Sequence, residues 1–111
     1  MLRPLFYYYD MYFLYILYSE ENDVYYVGQS INPWNRVQQH NTNSSEKYTG
    51  KYKNWKLMAV FEISVSRSDA IIIERFIKKQ KSRNLVLQLI NPEFKPSGAL
   101  AQLVRVPHVR D

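Results

Sequence analysis

The sequence predicts a mixed α/β (α+β) domain in which a small, mainly antiparallel sheet of three strands is flanked by helices. Three segments are rich in aromatic and β-branched residues, as strands are, and three others have the polar caps and apolar spacing of helices. The chain has 111 residues, of which 46% are hydrophobic and 23% are charged. Both the length and the composition are typical of one globular domain.

The first two strands are expected to form a hairpin. Residues 12–18 are apolar or aromatic at every position, which is the pattern of a strand buried on both faces. The polar residues 19–23 provide a turn, and residues 24–28 then form the second strand.

A third strand and three helices follow. Asn32 and Pro33 supply a polar cap and a proline at the first helical position, and the segment 66–69 resembles a capping box. Residues 41–53 have no apolar period and are interpreted as an exposed loop. The expected bounds are residues 33–40 for the first helix, 55–65 for the third strand, 68–81 for the second helix and 82–90 for the third.

The domain is expected to cover residues 11–91, with an N-terminal extension at residues 1–10 and a flexible C-terminal tail at residues 92–111. The tail shows no amphipathic period. The longest apolar stretch, from Leu5 to Tyr18, is interrupted by an aspartate and is shorter than the roughly 20 residues that span a bilayer. We therefore expect a cytoplasmic protein with no membrane partner.

Composition narrows the classes of function. The absence of cysteine excludes disulfide scaffolds, thiolate zinc sites and cysteine nucleophiles. Fifteen Lys and Arg against ten Asp and Glu give a net charge of +5, which is compatible with a nucleic-acid partner. Many small domains are equally basic, so charge alone does not assign one.

Five side chains on the predicted elements form a candidate site. Tyr15 and Tyr26 lie centrally in the two hairpin strands, which can bring them onto one face. Arg36 and His40 are four residues apart and share one face of the first helix. Glu74 falls on the apolar stripe of the long helix, where a buried carboxylate needs a partner such as a metal ion.

Each of these residues also has a purely structural interpretation. The two tyrosines would be core residues with satisfied hydroxyls, and the arginine and histidine would form a solvated helix face. Glu74 would form an ion pair with Arg75 or Lys78.

The order and spacing of the five residues resemble the GIY-YIG nuclease superfamily over residues 12–90. Its two tyrosine motifs are matched by Phe13-Leu14-Tyr15 and Tyr26-Val27-Gly28, although the first motif lacks its glycine. Its arginine, its histidine four residues later and its glutamate on a later helix are matched as well. The chain looks closest to the small stand-alone, single-domain branch, which resembles the nuclease domain of the bacterial excision-repair endonuclease.

The resemblance implies a DNA endonuclease that hydrolyses phosphodiester bonds with one Mg²⁺ or Mn²⁺. In this interpretation Glu74 holds the metal and Arg36 clamps the scissile phosphate. Tyr15 takes a proton from the attacking water, with help from His40 or from a loop lysine (Lys47 or Lys51), because free tyrosine titrates near 10. Tyr26 orients the water or the phosphate, and Gly28, which has no side chain, allows the substrate to approach the backbone closely.

Basic residues interleaved with the aromatic residues Tyr48, Tyr52 and Trp55 suggest where DNA is held, since cations contact phosphates and aromatic rings stack on exposed bases. The residues assigned to DNA contact are Lys47, Tyr48, Lys51, Lys53, Lys56, Lys78 and Lys79. A solvated basic surface is the alternative interpretation. No base-reading module is visible, so we expect structure-selective cutting or targeting by a protein partner.

Two other functions are compatible with the sequence. One is a non-catalytic DNA-binding module that retains the nuclease fold. The other is an interaction module that uses the aromatic N-terminus to dimerise or to lie at a membrane surface. The oligomeric state and the process served, such as DNA repair, are left open.

Overall fold

Three strands and three helices lie within two residues of their predicted bounds. The structure, a computed structural model, describes residues 10–42 and 54–107. In chain order the elements are β1 (Tyr12–Ser19), β2 (Val24–Ser30), α1 (Pro33–Thr42), β3 (Trp55–Ser64), α2 (Arg67–Gln80), α3 (Arg83–Ile90), a 3₁₀ turn (Gly98–Leu100) and β4 (Val104–Val106). The predicted fold class, an antiparallel sheet flanked by helices, is confirmed.

The sheet has four strands in the order β2-β1-β3-β4, so the prediction of three strands is wrong. The fourth strand pairs antiparallel with β3 and comes from the segment expected to be a flexible tail. Leu100 and Leu103, from the same segment, are each 5% exposed and join the core. A segment of three residues is too short to show an alternating apolar pattern, so the sequence does not predict β4. Only its pairing with β3 identifies it as a strand.

Hydrogen bonds from Arg105 link β4 to the end of α3. Its guanidinium donates hydrogen bonds of 2.8 Å to the carbonyl oxygens of both Leu89 and Ile90. It also lies 5.4 Å from the centre of the Phe61 ring, and partial burial lowers its pKa. A cation on the last carbonyls of a helix stabilises its negative end.

The sheet is covered on both faces, and β1 is one of its two central strands. Leu14 and Ile16 pack with α2 and α3 on one face, whereas Tyr15 and Leu17 pack with side chains of α1 on the other. All four are at most 1% exposed. The predicted burial of this strand on both faces is therefore confirmed.

Helix starts follow the local signals. The Asn32 side chain accepts a hydrogen bond from the Asn35 amide at the start of α1. Ser66 caps α2 by accepting from the Asp69 amide, and Asp69 accepts in turn from Ser64 rather than from the Ser66 backbone. Within the described ranges, no helix is both long enough and apolar enough to cross a membrane.

Candidate active site

Tyr15 and His40 form a buried hydrogen-bonded pair at the centre of the candidate site. The Tyr15 hydroxyl lies 2.9 Å from Nε2 of His40, and the two residues are 1% and 0% exposed. Tyr15 comes from β1 and His40 from the last turn of α1. Either group can be the donor, because the direction depends on the histidine tautomer.

Gly28 allows this pair to form. It is the cross-strand partner of Tyr15 in the β1–β2 hairpin. A Cβ atom at Gly28 would lie 2.5 Å from Oη and 2.6 Å from Cζ of Tyr15. The close approach that requires glycine is therefore that of the Tyr15 ring, whereas the sequence interpretation assigned it to substrate.

Tyr26 lies beside the pair on the same face of the sheet. Its ring centre is 6.3 Å from that of Tyr15 and 5.1 Å from that of His40. The ammonium group of Lys78 lies 4.9 Å from the Tyr26 ring centre, a cation–π geometry. The predicted proximity of the two motif tyrosines is thus present.

Glu74 completes the cluster from α2. Its Oε2 accepts a hydrogen bond of 2.7 Å from Nζ of Lys78, one turn along the helix. Its side chain is 18% exposed and that of Lys78 is 44% exposed. The carboxylate on the apolar stripe thus has a lysine as its partner, so its burial does not by itself require a metal ion.

The cluster straddles the edge of the sheet. Tyr15 and Tyr26 pack on the α1 face, whereas α2 packs on the opposite face. The strand β2 is an edge strand, so Lys78 reaches Tyr26 around that edge. The acidic and basic groups of α2 thereby lie next to the phenols of the hairpin at the edge of the sheet.

Arg36 lies one turn before His40 on α1 and donates a hydrogen bond of 2.7 Å to the side chain of Gln39. Burial raises the pKa of Tyr15 well above its usual range, and nearby Tyr26 and Glu74 act in the same direction. Arg36 opposes this through a hydrogen bond and its positive charge. Because burial outweighs Arg36, Tyr15 is a neutral phenol near neutral pH.

Asn41 is a positioning residue that the sequence did not reveal. Its side chain accepts a hydrogen bond of 2.6 Å from the Trp55 amide and donates one of 3.1 Å to the Trp55 carbonyl. These bonds tie the end of α1, and hence His40, to the start of β3. No sequence signal separated Asn41 from the other polar residues of the predicted loop.

Trp55 does not present a face for base stacking. It is 3% exposed, and its ring packs 6.4 Å from that of Tyr26. The expectation that it stacks on bases is therefore wrong. A large aromatic residue at the first position of a central strand is drawn into the core by its apolar area.

The residues assigned to DNA contact are distributed unevenly. Lys78 lies in the cluster, whereas Lys79 is exposed on the outer side of α2 with Ile72 and Phe76. Lys56 is exposed on β3 opposite Tyr18, whose side chain is on the other face of β1 from Tyr15. The loop residues Lys47, Tyr48, Lys51 and Lys53, and residues 1–9 of the aromatic N-terminus, lie outside the described residues.

The donor set is compatible with a single hard cation. The described residues contain no group of three or more His, Cys, Asp or Glu that could hold a metal ion. Mg²⁺ usually keeps several waters and binds through one or two carboxylates together with substrate phosphates. One carboxylate at an open sheet edge fits that mode of binding, if Lys78 releases Glu74.

Comparison with known proteins agrees with this arrangement. The family model described as the GIY-YIG catalytic domain matches residues 11–86 of the 111-residue chain. All five residues of the candidate site lie in the matched range. None of the curated proteins matches the chain significantly.

Proposed function

The chain belongs to the GIY-YIG family, and on that premise we propose that it is a metal-dependent DNA endonuclease that hydrolyses phosphodiester bonds. The observation that carries the proposal is the buried Tyr15–His40 hydrogen bond beside Tyr26, with Glu74 at the rim of the same cluster. A family match alone supports a nuclease in general. The geometry supports a proton route through Tyr15 and His40, and Glu74 is the carboxylate that would hold the metal.

The proton route follows from the pKa of Tyr15. Tyr15 is not ionised in the resting protein near neutral pH, because burial raises its pKa. We infer that Tyr15 passes its proton to Nε2 of His40 while it accepts a proton from the attacking water. His40 must be neutral at Nε2 to accept it, and no tyrosinate accumulates.

The other groups act on the phosphate. The planar guanidinium of Arg36 is suited to two parallel hydrogen bonds with the non-bridging oxygens. The hydroxyl of Tyr26 would orient the water or the phosphate. Mg²⁺ or Mn²⁺ bound at Glu74 would neutralise the developing charge and stabilise the leaving 3′ oxygen.

The ion pair between Glu74 and Lys78 does not prevent this. A partly exposed pair spaced four residues apart on a helix is worth only about 0.3–0.5 kcal/mol. Releasing Glu74 therefore weakens metal binding by about twofold. The released ammonium group of Lys78 is then available to a phosphate of the bound strand.

Cleavage of labelled DNA tests the proposal. Single-stranded, duplex, flap and branched substrates are incubated with Mg²⁺ or Mn²⁺, and EDTA serves as the metal-free control. We expect Glu74→Gln and Tyr15→Phe each to lower the rate by about 100-fold or more. The matched variant Glu93→Gln, at an exposed carboxylate outside the cluster, should cut at the wild-type rate.

Two outcomes contradict the proposal. If wild type cuts nothing but retains salt-sensitive DNA binding, the protein is a non-catalytic binding module that kept the fold. If cutting persists in Glu74→Gln at the wild-type rate, the metal assignment is wrong. Structure-selective cutting, a targeting partner and a cytoplasmic location stay predictions, and the substrate panel addresses the first of them.

A further inference from the structure

A groove leads from the candidate site along the outer edge of β2. Two neighbouring cavities form it, one of about 360 Å³ next to Tyr26 and one of about 290 Å³ beyond it. They share the lining residues Tyr25, Val27 and Lys78, so they lie side by side along this edge. The second cavity extends to Lys81 and Arg83, where α2 ends and α3 begins.

The groove is positively charged. Its lining includes three cations, Lys78, Lys81 and Arg83, and one carboxylate, that of Asp23. Asp23 is neutralised locally, since its Oδ1 accepts hydrogen bonds from Arg83 (2.5 Å) and from the Tyr18 hydroxyl (2.8 Å). These two hydrogen bonds hold the pKa of Asp23 below its usual range. Lys81 forms no ion pair with any of the described residues.

Contacts with Asp23 and Tyr25 hold the Arg83 side chain in place. It donates a hydrogen bond to the Asp23 side chain and another of 3.1 Å to the Asp23 carbonyl. Its guanidinium lies 5.0 Å from the centre of the Tyr25 ring, which packs 4.5 Å from the Tyr18 ring. With a side chain 51% exposed, Arg83 lies at the solvent end of this row of contacts, within reach of a ligand in the groove.

The size of the groove favours a single nucleic-acid strand over a duplex. Cavities of about 300–1,000 Å³ hold small ligands, and one nucleotide falls in that class whereas a duplex does not. Proteins that bind single strands combine a positive groove with planar groups on which bases stack, guanidinium planes included. The groove has both features and begins at the candidate site.

We propose that this groove binds an unpaired strand of the DNA substrate next to the cut phosphodiester, with a base stacked on Arg83 and phosphates held by Lys78 and Lys81. The inference rests on the proposed nuclease function and deepens it. It specifies the substrate class as a duplex that carries a single-stranded extension at the cleavage site.

Binding in EDTA separates this inference from catalysis. Fluorescence anisotropy compares a duplex that carries a single-stranded extension with a blunt duplex of equal length, using the full chain. We expect wild type to prefer the extended substrate, and Arg83→Lys to reduce that preference by about fivefold. The charge-conserving control Arg67→Lys, at the exposed first residue of α2 and away from the groove, should leave it unchanged.

A second variant keeps the test decisive if Arg83→Lys is poorly folded. Lys81→Gln should weaken binding of the extended substrate and lower its salt dependence by about one phosphate contact. Equal affinity of wild type for the two substrates overturns the inference, as does an equal effect of Arg83→Lys and Arg67→Lys. A preserved, Arg83-dependent preference without any cleavage would instead refute the nuclease and leave the groove assigned.

Discussion

Replacing Gly28 by alanine tests the packing that holds Tyr15 beside His40. The new Cβ would lie 2.5 Å from Oη and 2.6 Å from Cζ of Tyr15. Because non-bonded carbon atoms prefer about 3.5–4.0 Å, the phenol must retreat by about 1 Å. Tyr15 is 1% exposed, so the ring has no solvent to move into.

Two costs add in the Gly28→Ala variant. Overpacking a buried position costs about 1–3 kcal/mol. Displacing the phenol also breaks the 2.9 Å hydrogen bond with His40, and a buried group left unsatisfied costs about 1–3 kcal/mol. We expect the free energy of unfolding to fall by about 3 kcal/mol and the melting temperature by about 10–20 °C.

Urea denaturation, followed by the fluorescence of the two tryptophans, measures this loss. Gly98→Ala is the matched control, because its Cβ would meet no atom within 4 Å and its φ of +59° is the sole source of strain. That control should cost about 1 kcal/mol. In a Tyr15→Leu background, which lacks the ring, Gly28→Ala should cost less than about 1 kcal/mol.

A free energy of unfolding for Gly28→Ala within about 0.5 kcal/mol of the wild-type value would contradict this packing. So would an unchanged cost of Gly28→Ala in the Tyr15→Leu background. Either result would mean that the Tyr15 ring does not occupy the space above Gly28.

Two further predictions concern stability. Arg105→Met should lower the free energy of unfolding by about 2 kcal/mol, because it removes the hydrogen bonds to the last carbonyls of α3. The control Arg75→Met, at an exposed arginine, should change the free energy of unfolding by less than about 0.5 kcal/mol. Equal effects of the two variants would contradict the role of Arg105 in linking β4 to α3. Burial raises the pKa of Tyr15, so its contribution to stability is complete below about pH 10, the ordinary tyrosine pKa, and is lost as the pH rises through the folded-state pKa. Denaturation curves from pH 9 to 12 should therefore show stability falling more steeply in wild type than in Tyr15→Phe, and parallel curves would contradict that pKa direction.

Most of the element pattern could be predicted from the sequence, because it depends on neighbours within one turn or one strand. Helix starts at α1 and α2 follow from the side chains of Asn32 and Ser66, which bond amides three residues away. The all-apolar run of β1 predicted burial on both faces. The proximity of Tyr15 and Tyr26 on one face followed from a short hairpin, in which the register limits which side chains meet.

Other features depended on contacts between residues far apart in the chain. The tie between Asn41 and Trp55 spans a segment with no period of its own. The same holds for β4, which is too short to be recognised without the strand it joins.

The features of the candidate site also divide into those that the sequence predicts and those that depend on the folded chain. Its five residues were named from the sequence, because their order and spacing resemble the motifs of a known family. The neutral state of Tyr15, the reason for Gly28 and the groove that ends at Arg83 came only from the folded chain. Each depends on burial or on distances across elements, because a pKa, a close approach and a cavity are properties of packed surfaces rather than of neighbouring residues.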